Sequence, residues 1–334
     1  MISTLNSFCK VTRRNIAMKK IHSILIVLGA VLLFVSLSEA SYMIRLQWVP
    51  QTQFAGYYMA AEKGFYQEVG IDADVRPADP KFKGLLGLLF KKNDFETAWL
   101  ASGLIMRSNH PRKLVLIAQF FQKPALMLVA KKSSGIKSVR DFRGRTLGVW
   151  DGVFSILPRA LIKKHTVHRV NIVSQGFTVE PFVKGDIDIA SAMRYNEYKQ
   201  ILDAGIKEDE LTVFDFSKLG MNLPEDGLYV REKFAEKHPD VCRKVVEATL
   251  KGWKYALEHK DETVAHITKI VNQTEFRTTT GKQRWMLDVV GNLIDLNTTV
   301  LKKADFDRTA NMLKSLKMIR ERPAYSVFFR DVMK

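Results

Sequence analysis

The sequence predicts an α/β fold in two lobes, followed by a helical tail. Residues 43–75 form the pattern of a strand, a loop, a helix and a second strand, which begins an open parallel sheet. Residues 145–216 repeat this alternation of strands and helices. The segment K-K-N-D-F-E-T-A at 91–98 is also echoed by V-K-G-D-I-D-I-A at 183–190. Each has a turn, an acidic residue and an apolar strand, which suggests two similar lobes.

The opening unit predicts where a ligand would bind. Alternating apolar residues at 43–49 indicate a buried strand that ends at Pro50. An amphipathic helix is expected at 54–67 and a second strand at 71–76. Ligands of open α/β sheets lie outside the carboxyl ends of the strands, so residues 48–57 are expected at a binding site.

The middle of the chain alternates between short strands and helices. The apolar run at 114–121 is predicted to be a central strand, and the helix at 138–142 is expected to be capped by Ser138. The other predicted strands are 94–100, 125–130, 145–149, 170–173, 187–190 and 211–216. The other predicted helices are 83–90, one that begins at 101, 153–164 and 194–202.

The last third predicts one short strand at 227–230 and then a helical tail. Its clearest helix is 239–259, with Pro239 in the first turn and Cys242, Val246, Thr249, Trp253 and Ala256 along one face. Cys242 is therefore expected to be a buried structural thiol. The remaining predicted helices are 233–238, 261–271, 283–296, 305–316 and 326–333.

The charge of the chain is strongly basic. Its 334 residues include 52 Lys and Arg against 35 Asp and Glu, a formal net charge of +17. Such a charge raises nucleic acid or an anionic membrane surface as partner classes. The basic residues are scattered along the predicted helices and no nucleic-acid motif is present, so no nucleic-acid partner is expected.

The N-terminus predicts export. Met18 and two lysines precede an apolar stretch at 24–35 and then Ser38-Glu39-Ala40, the pattern of a secretory signal peptide at 1–40 that is cleaved after Ala40. Met18 is favoured as the true start over an extended basic region. The alternative is an uncleaved membrane anchor, although the apolar stretch is short for a span of about 20 residues. Cys242 is alone after Ala40, so no intramolecular disulfide is expected.

Three tryptophans predict a cleft for a flat heteroaromatic ligand. Trp48, Trp99 and Trp150 each stand at or just past the end of a predicted strand. Core packing explains any one of them equally well, but all three at strand ends favour a ligand site. The polar side chains that are expected to complete the site are Gln53, Tyr57, Asp151, Tyr195, Asn196 and Glu197.

Other interpretations of single residues stay open. For Glu197, a solvated residue at a helix N-terminus is favoured over a ligand contact. Asp226 could be a hinge residue, a rim residue or a turn former. The seven histidines show no metal-ligand spacing, and no nucleophile or phosphate-loop motif occurs. The sequence predicts no catalytic residue, no metal and no cofactor.

Three motifs carry a resemblance to a known family. They are L-Q-W-V-P-x-x-x-F-A-G-Y-Y-x-A-x-E-K-G-F-Y-x-E-x-G-I at 46–71, S-G-I-K-S-V-R-D-F-R-G-R-T-L-G-V-W at 134–150, and K-F-A-E-K-H-P-D-V-C-R-K-V-V-E-A-T-L-K-G-W-K-Y-A at 233–256. In order and spacing they resemble the periplasmic solute-binding proteins for thiamine-pyrimidine precursors and the related synthase-like proteins. The resemblance extends over most of the chain after residue 40.

The resemblance implies a type II periplasmic-binding fold. Two α/β lobes, 41–125 with 226–334 and 126–225, would be joined by crossovers near 121–130 and 214–226 and would close on a ligand by a hinge. It implies a monomeric periplasmic protein that passes a small heteroaromatic ligand, such as a thiamine pyrimidine precursor, to the inner-membrane permease of an ABC importer. Glu197 stands where the family often has an acidic residue.

Two alternative functions remain beside transport. The eukaryotic branch of the family makes the thiamine pyrimidine, using a His in the opening loop and a Cys-rich segment. Here the opening loop P-Q-T-Q-F-A-G has no His, and M-N-L-P-E-D-G before residue 228 has no Cys, so binding without chemistry is favoured. The third alternative is a ligand-sensing module for a membrane sensor kinase.

Overall fold

The computed structural model describes residues 41–82, 84–110 and 113–334. The predicted signal peptide and its alternative start at Met18 lie outside these residues. Residues 41–334 form one unit. Across the described ranges, none of the helices combines the length and the apolar character that crossing a membrane requires.

The first of two five-stranded sheets has the order β2-β1-β3-β10-β4. Strands β1, β2 and β3 are parallel, and β10 lies antiparallel between β3 and β4. The strands are β1 (Tyr42–Arg45), β2 (Ala73–Arg76), β3 (Phe95–Trp99), β4 (Leu114–Gln119) and β10 (Asp226–Arg231).

The second sheet repeats this arrangement in the order β7-β6-β8-β5-β9. Strands β6, β7 and β8 are parallel, and β5 is antiparallel to both β8 and β9. The strands are β5 (Leu126–Lys131), β6 (Thr146–Val149), β7 (Asn171–Ser174), β8 (Ile189–Met193) and β9 (Leu211–Asp215).

The prediction of an open parallel sheet is therefore only partly right, because both sheets are mixed. The chain passes between the sheets at 120–125 and again at 216–225, and the first strand after each passage enters its new sheet antiparallel. The prediction of a central strand at 114–121 is wrong, since β4 is an edge strand. All six of its residues are nevertheless buried, and Phe329 bridges to Leu116 on the outer side. A continuous apolar run reports burial rather than position in the sheet.

The helices follow the predicted order with shifted bounds. The single helix expected at 54–67 is instead a 3-10 turn at Thr52–Phe54 and two helices separated at Gly64, whose φ of +71° is left-handed. The helix expected at 138–142 is a 3-10 turn with a capping box between Ser138 and Asp141. Before the tail the helices are α1 (Ala55–Glu62), α2 (Phe65–Glu68), α3 (Leu86–Leu89), α4 (Leu100–Asn109), α5 (Ile156–Lys164), α6 (Glu180–Lys184) and α7 (Glu197–Asp203).

The helical tail is confirmed, although its last helix is only one turn long. Its helices are α8 (Glu232–Lys237), α9 (Pro239–Glu258), α10 (Lys260–Asn272), α11 (Thr280–Gly291), α12 (Lys303–Ser315) and α13 (Tyr325–Phe328). Cys242 is fully buried on α9, as its position on the apolar face predicts.

Two glycines let α9 lie directly against α1, the helix that follows the opening loop. A Cβ at Gly252 would stand 2.0 Å from the carbonyl oxygen of Gly56 and 2.8 Å from Ala60. A Cβ at Gly56 would stand 2.3 Å from the fully buried ring of Trp253. The helix that begins at the opening loop is thus fixed by backbone contact that no larger residue permits.

We predict that Gly252→Ala destabilises the protein although it places a better helix former inside a helix. In an ordinary helix interior this change stabilises by about 1 kcal/mol, but here the overpacking costs about 1–3 kcal/mol. The control is Gly281→Ala in α11, where the added carbon would meet nothing nearer than 3.9 Å. Urea unfolding measures both, and equal or higher stability of Gly252→Ala would contradict the packing described.

Candidate functional site

The segments at and after the carboxyl ends of parallel strands in the two sheets meet through aromatic contacts, and we call this meeting region the cleft. Trp48 follows β1 and Trp99 ends β3, whereas Trp150 follows β6. The ring of Phe154, in the 3-10 turn after β6, packs edge-on against Trp99 at a centroid distance of 4.7 Å and against Trp150 at 5.9 Å. Phe154 therefore contacts both the Trp99 ring of the first sheet and the Trp150 ring of the second.

The rim of the cleft carries a second aromatic contact. Trp48 lies 6.2 Å from the ring of Phe177, which follows β7. Trp48 is 39% exposed and Phe177 is 79% exposed, so both rings present faces to solvent. The indole Nε1 of Trp150 donates to the carbonyl oxygen of Gly176 at 3.0 Å, which ties the Phe177 turn to Trp150. The structure thus brings all three predicted tryptophans to one cleft and adds Phe154 and Phe177.

A buried carboxyl group holds the opening loop against the first sheet. Asp226, the first residue of β10, accepts hydrogen bonds from Gln47 Nε2 at 2.6 Å and from Gln53 Nε2 at 2.7 Å. Asp226 pairs with Trp99 in the sheet register, and Gln51 Nε2 donates to Gln53 Oε1. The Asp226 carboxyl group therefore connects β10 with two other segments, the residues just after β1 and the opening loop.

Burial controls the charge of Asp226. It raises the pKa of this carboxyl to about 7, against the opposing effect of the hydrogen bonds from Gln53, Gln47 and Trp99. Its neighbour Glu225 accepts the backbone N–H groups of Ala125 at 2.7 Å and Leu126 at 3.0 Å, across the first passage between the sheets. Burial also raises the pKa of Glu225 well above its usual value.

Tyr195 joins this acidic region from the second sheet. It is buried, and burial raises its pKa well above the usual value, with further contributions from the charges of Glu225, Asp226 and Glu197. Its hydroxyl therefore stays protonated near neutral pH and can donate a hydrogen bond. Tyr57, from the opening helix, is buried edge-on against Phe120 at 5.7 Å.

The two residues after Tyr195 form a local cap. Glu197 accepts the backbone N–H of Met193 at 3.0 Å on Oε2 and the side-chain amide of Asn196 at 2.6 Å on Oε1. The side chain of Glu197 is buried, and burial raises its pKa. Both carboxyl oxygens thus bind the connection between β8 and α7. Glu197 is therefore the first residue of α7, as the alternative expected, but it is buried and not solvated.

Helix α11 of the tail contacts both sides of the cleft. On one side, Gln283 accepts the backbone N–H of Thr52 at 2.8 Å, and its own carbonyl oxygen accepts Thr52 Oγ1 at 2.9 Å. On the other side, the indole Nε1 of Trp285 donates to the carbonyl oxygen of Arg194 at 3.1 Å. The sequence predicted a tail helix here but not that it would bridge the opening loop and the Tyr195 turn.

The predicted set divides into four groups, one of which is the turn of Tyr195, Asn196 and Glu197 described above. Trp48, Trp99 and Trp150 form the aromatic wall, and Gln53 with Tyr57 lies on the opening loop and helix beneath it. The exposed side chain of Asp151 stands beside Trp150 at the mouth. Sequence reasoning missed the roles of Gln47, Phe154, Phe177, Glu225 and Asp226. The turns D-G-V-F and Q-G-F-T after strands were the available signals for the two phenylalanines.

Neither an exposed cysteine nor a metal-binding cluster is found among the described residues. Burial raises the pKa of Cys242 to about 12, and this thiol lies on α9 in the core. Within the residues that the structure covers, no group of three or more His, Cys, Asp and Glu side chains could hold a metal ion. The arrangement at the cleft suits stacking and hydrogen bonding of a flat ligand.

Sequence comparison finds the NMT1/THI5-like family model over residues 51–263, which is more than half of the chain. The riboflavin-binding protein RibY of Chloroflexus aurantiacus is 25% identical over 234 residues, 65% of this chain and 62% of that protein. A putative thiamine biosynthesis protein of Haemophilus influenzae is 23% identical over 184 residues, 52% of this chain and 57% of that protein. The matches thus span about 60% of the length of each relative.

Structure comparison finds the same fold in periplasmic binding proteins. The aliphatic sulphonate binding protein SsuA of Escherichia coli superimposes with a TM-score of 0.68 and 16% sequence identity, over 87% of this chain and 92% of that one. The two-lobed type II periplasmic-binding fold that the motifs predict is therefore confirmed.

We predict that Asp226→Asn flattens the pH dependence of stability between pH 4 and 7. Folded Asp226 keeps its proton up to about pH 7, whereas an unfolded Asp releases it near 3.8, so the folded state binds more protons in this window. The free energy of unfolding therefore falls as pH rises through it. Urea unfolding across the window measures the slope, part of which remains because burial also raises the pKa of Glu96 to about 7 and the pKa values of Glu225 and Glu197 above their usual range.

The matched control is Asp215→Asn. Burial acts to raise the Asp215 pKa, but hydrogen bonds from Ser217 and the charge of Arg194 outweigh it, so the pKa is lowered. Its stabilisation is present above its unfolded pKa of about 3.8 and is lost only at lower pH, outside the window. An unchanged slope in Asp226→Asn would contradict a buried, protonated Asp226.

Proposed function

The chain belongs to the NMT1/THI5-like family, and on that premise we propose that it is a solute-binding protein that closes two lobes around a flat heteroaromatic ligand. Lobe 1 comprises residues 41–125 and 226–334, and lobe 2 comprises residues 126–225. The ligand lies at the aromatic cleft between them and is bound without covalent chemistry.

The observation that carries this proposal is the pair of aromatic contacts across the cleft. Trp48 and Trp99 come from the side of the first sheet, and Phe177 and Phe154 from the side of the second. Each contact places a large ring of one lobe beside a ring of the other. A planar ligand inserted between Trp48 and Phe177 would exchange one ring contact for two stacking contacts, which favours the closed arrangement.

Polar groups deeper in the cleft would orient such a ligand. Tyr195, after β8, keeps its hydroxyl proton. The side-chain amides of Gln51 and Gln53 are buried in the opening loop. A heteroaromatic ring with nitrogen and carbonyl acceptors on one edge matches donors of this kind. Both carboxyl oxygens of Glu197 are already bonded within the protein, so Glu197 serves as a positioning residue for the Tyr195 turn.

The ligand class follows from the relatives together with the cleft. One relative is a riboflavin-binding protein and another a putative thiamine biosynthesis protein, so flavins and thiamine pyrimidine precursors are the two ring systems that we put forward. Wide aromatic faces at the rim favour the larger flavin ring. We further propose a monomer in the periplasm, exported by its signal peptide, whose partner is the permease of an ABC importer.

Synthesis of a pyrimidine by this protein is the alternative that the family raises. The buried Cys242 and the absence of His from the opening loop count against it. Release of riboflavin or of a pyrimidine precursor unchanged after incubation with the protein would support binding alone. A new product that forms with catalytic turnover would support the enzyme.

We predict that riboflavin or a thiamine pyrimidine precursor raises the melting temperature, and that Trp48→Ala reduces the effect. A ligand that binds only the folded state at a hundredfold excess over its Kd adds about 2.7 kcal/mol of stability. Loss of one stacking face costs about 1–3 kcal/mol of that binding. Calorimetric titration of both proteins gives the two values of Kd.

The control is Phe90→Ala, which removes a ring that is 62% exposed and precedes β3, at the opposite end of that strand from Trp99. This variant should bind as the wild type does. Equal affinity of Trp48→Ala and wild type, or equal losses in both variants, would contradict the proposed cleft.

A further inference from the structure

A second pocket lies outside the cleft, between the second sheet and the helical tail. Its volume is about 500 Å³, and it opens to solvent, since the side chains of Arg159, Lys163 and His168 are exposed. One wall is formed by α5 and the loop to β7, and the other is reached by Leu316 just after α12. None of the aromatic residues of the cleft lines it.

The lining of this pocket is cationic and apolar, with no carboxylate. Arg159, Lys163 and His168 bring nitrogen donors to it. The other lining residues are Thr166, which has a hydroxyl group, and the apolar residues Ile162, Val167, Ile172 and Leu316. The pocket therefore combines positive charge with an apolar surface.

The basic charge around the pocket is not neutralised locally. Residues 152–179 and 308–320, which supply its two walls, contain no Asp or Glu. In the part of the chain that the structure describes, the Arg159 side chain takes part in no hydrogen bond and no salt bridge. Lys163 donates to the carbonyl oxygen of Ser315 and Lys164 to that of Leu219, and these neutral acceptors leave the ammonium charges uncompensated.

The sequence showed basic residues scattered along helices, whereas the fold gathers them here. Lys163 and Lys164 end α5, and Lys314 and Lys317 flank the Ser315 that Lys163 contacts. The loop between α5 and β7 also holds Thr166 at a φ of +53°, which is unusual for a β-branched side chain. Such conformations persist where the surrounding structure fixes the loop.

We propose that this pocket binds a phosphate group carried on an apolar body. A guanidinium and an ammonium group can both donate to phosphate oxygens, and the guanidinium fork of Arg159 suits a bidentate contact. The apolar side chains would receive the body that bears the phosphate. A phosphorylated small molecule and an anionic phospholipid share this chemistry, and the site is separate from the cleft of the proposed function.

The test uses phenyl phosphate as the soluble probe and phosphatidylglycerol vesicles as the lipid probe. Calorimetric titration of the wild type with phenyl phosphate should show saturable binding that weakens as salt increases. Benzyl alcohol, which has the ring without the phosphate, should not bind. The double variant Arg159→Gln/Lys163→Gln should lose roughly tenfold or more in affinity.

The matched control is Arg143→Gln/Lys137→Gln, which removes one Arg and one Lys from exposed positions of the same lobe. It should bind as the wild type does, and circular dichroism checks that both doubles are folded. If the wild type and the control variant pelleted with the vesicles and the pocket variant did not, the phospholipid would be the source of the phosphate. If phenyl phosphate alone bound, the source would be soluble.

Failure of both probes to bind, or equal binding by wild type and the pocket variant, would overturn the proposal. Neither result would affect the cleft, because riboflavin titration of the same pocket variant reports on that site separately. The two proposals can therefore fail independently.

Discussion

The two hydrogen bonds that Asp226 accepts from Gln47 and Gln53 are the contact on which the cleft depends. Asp226 begins the strand that returns to the first sheet, and the two glutamines lie after β1 and in the opening loop. A buried carboxyl group in this position costs free energy unless it is hydrogen-bonded or protonated. Here it is bonded on both oxygens and its pKa is raised to about 7, so the group can remain buried.

This bond network sets where the aromatic rings stand. Asp226 lies opposite Trp99 in the sheet, and the same loop that it holds carries Trp48. Gly252 and Gly56 fix the helix at the far end of that loop, and α11 bonds the loop through Gln283. The rings of the first lobe therefore rest on a rigid base, and Phe154 and Phe177 meet them from turns of the second lobe.

Sequence reasoning located most strand ends to within about two residues, because apolar alternation defines short strands, but β1 ends at Arg45 and not near 49, and β8 ends at Met193 and not at 190. It could place Trp48, Trp99 and Trp150 at one edge for that reason, and the structure has them there. It could not show that β5 and β10 run antiparallel to their neighbours, because direction depends on which sheet the chain enters after each passage. The prediction that β4 is central was wrong for a related reason. Phe329 of the tail covers this edge strand, and it lies more than 200 residues further along the chain.

The side chains that were missed depend on contacts far apart in the chain. Asp226 and Gln47 are separated by 179 positions, and in sequence Asp226 stands in a P-E-D-G segment typical of a turn. Glu197 was assigned to the ligand because of its place in the motif, whereas its oxygens bond to Met193 and Asn196. Local pattern identifies where a site lies, and only tertiary contacts decide which polar atoms remain free to bind.

The central claim is that a planar ligand lies between the lobes at the aromatic rim. A crystal structure of the protein with riboflavin, or with the pyrimidine that gives the larger thermal shift, tests it most directly. We expect ring density between Trp48 and Phe177 with a polar edge toward Tyr195. Density for the ligand elsewhere, such as in the cavity of about 750 Å³ that Asn222 and Asp295 line beside the passages between the sheets, would contradict it.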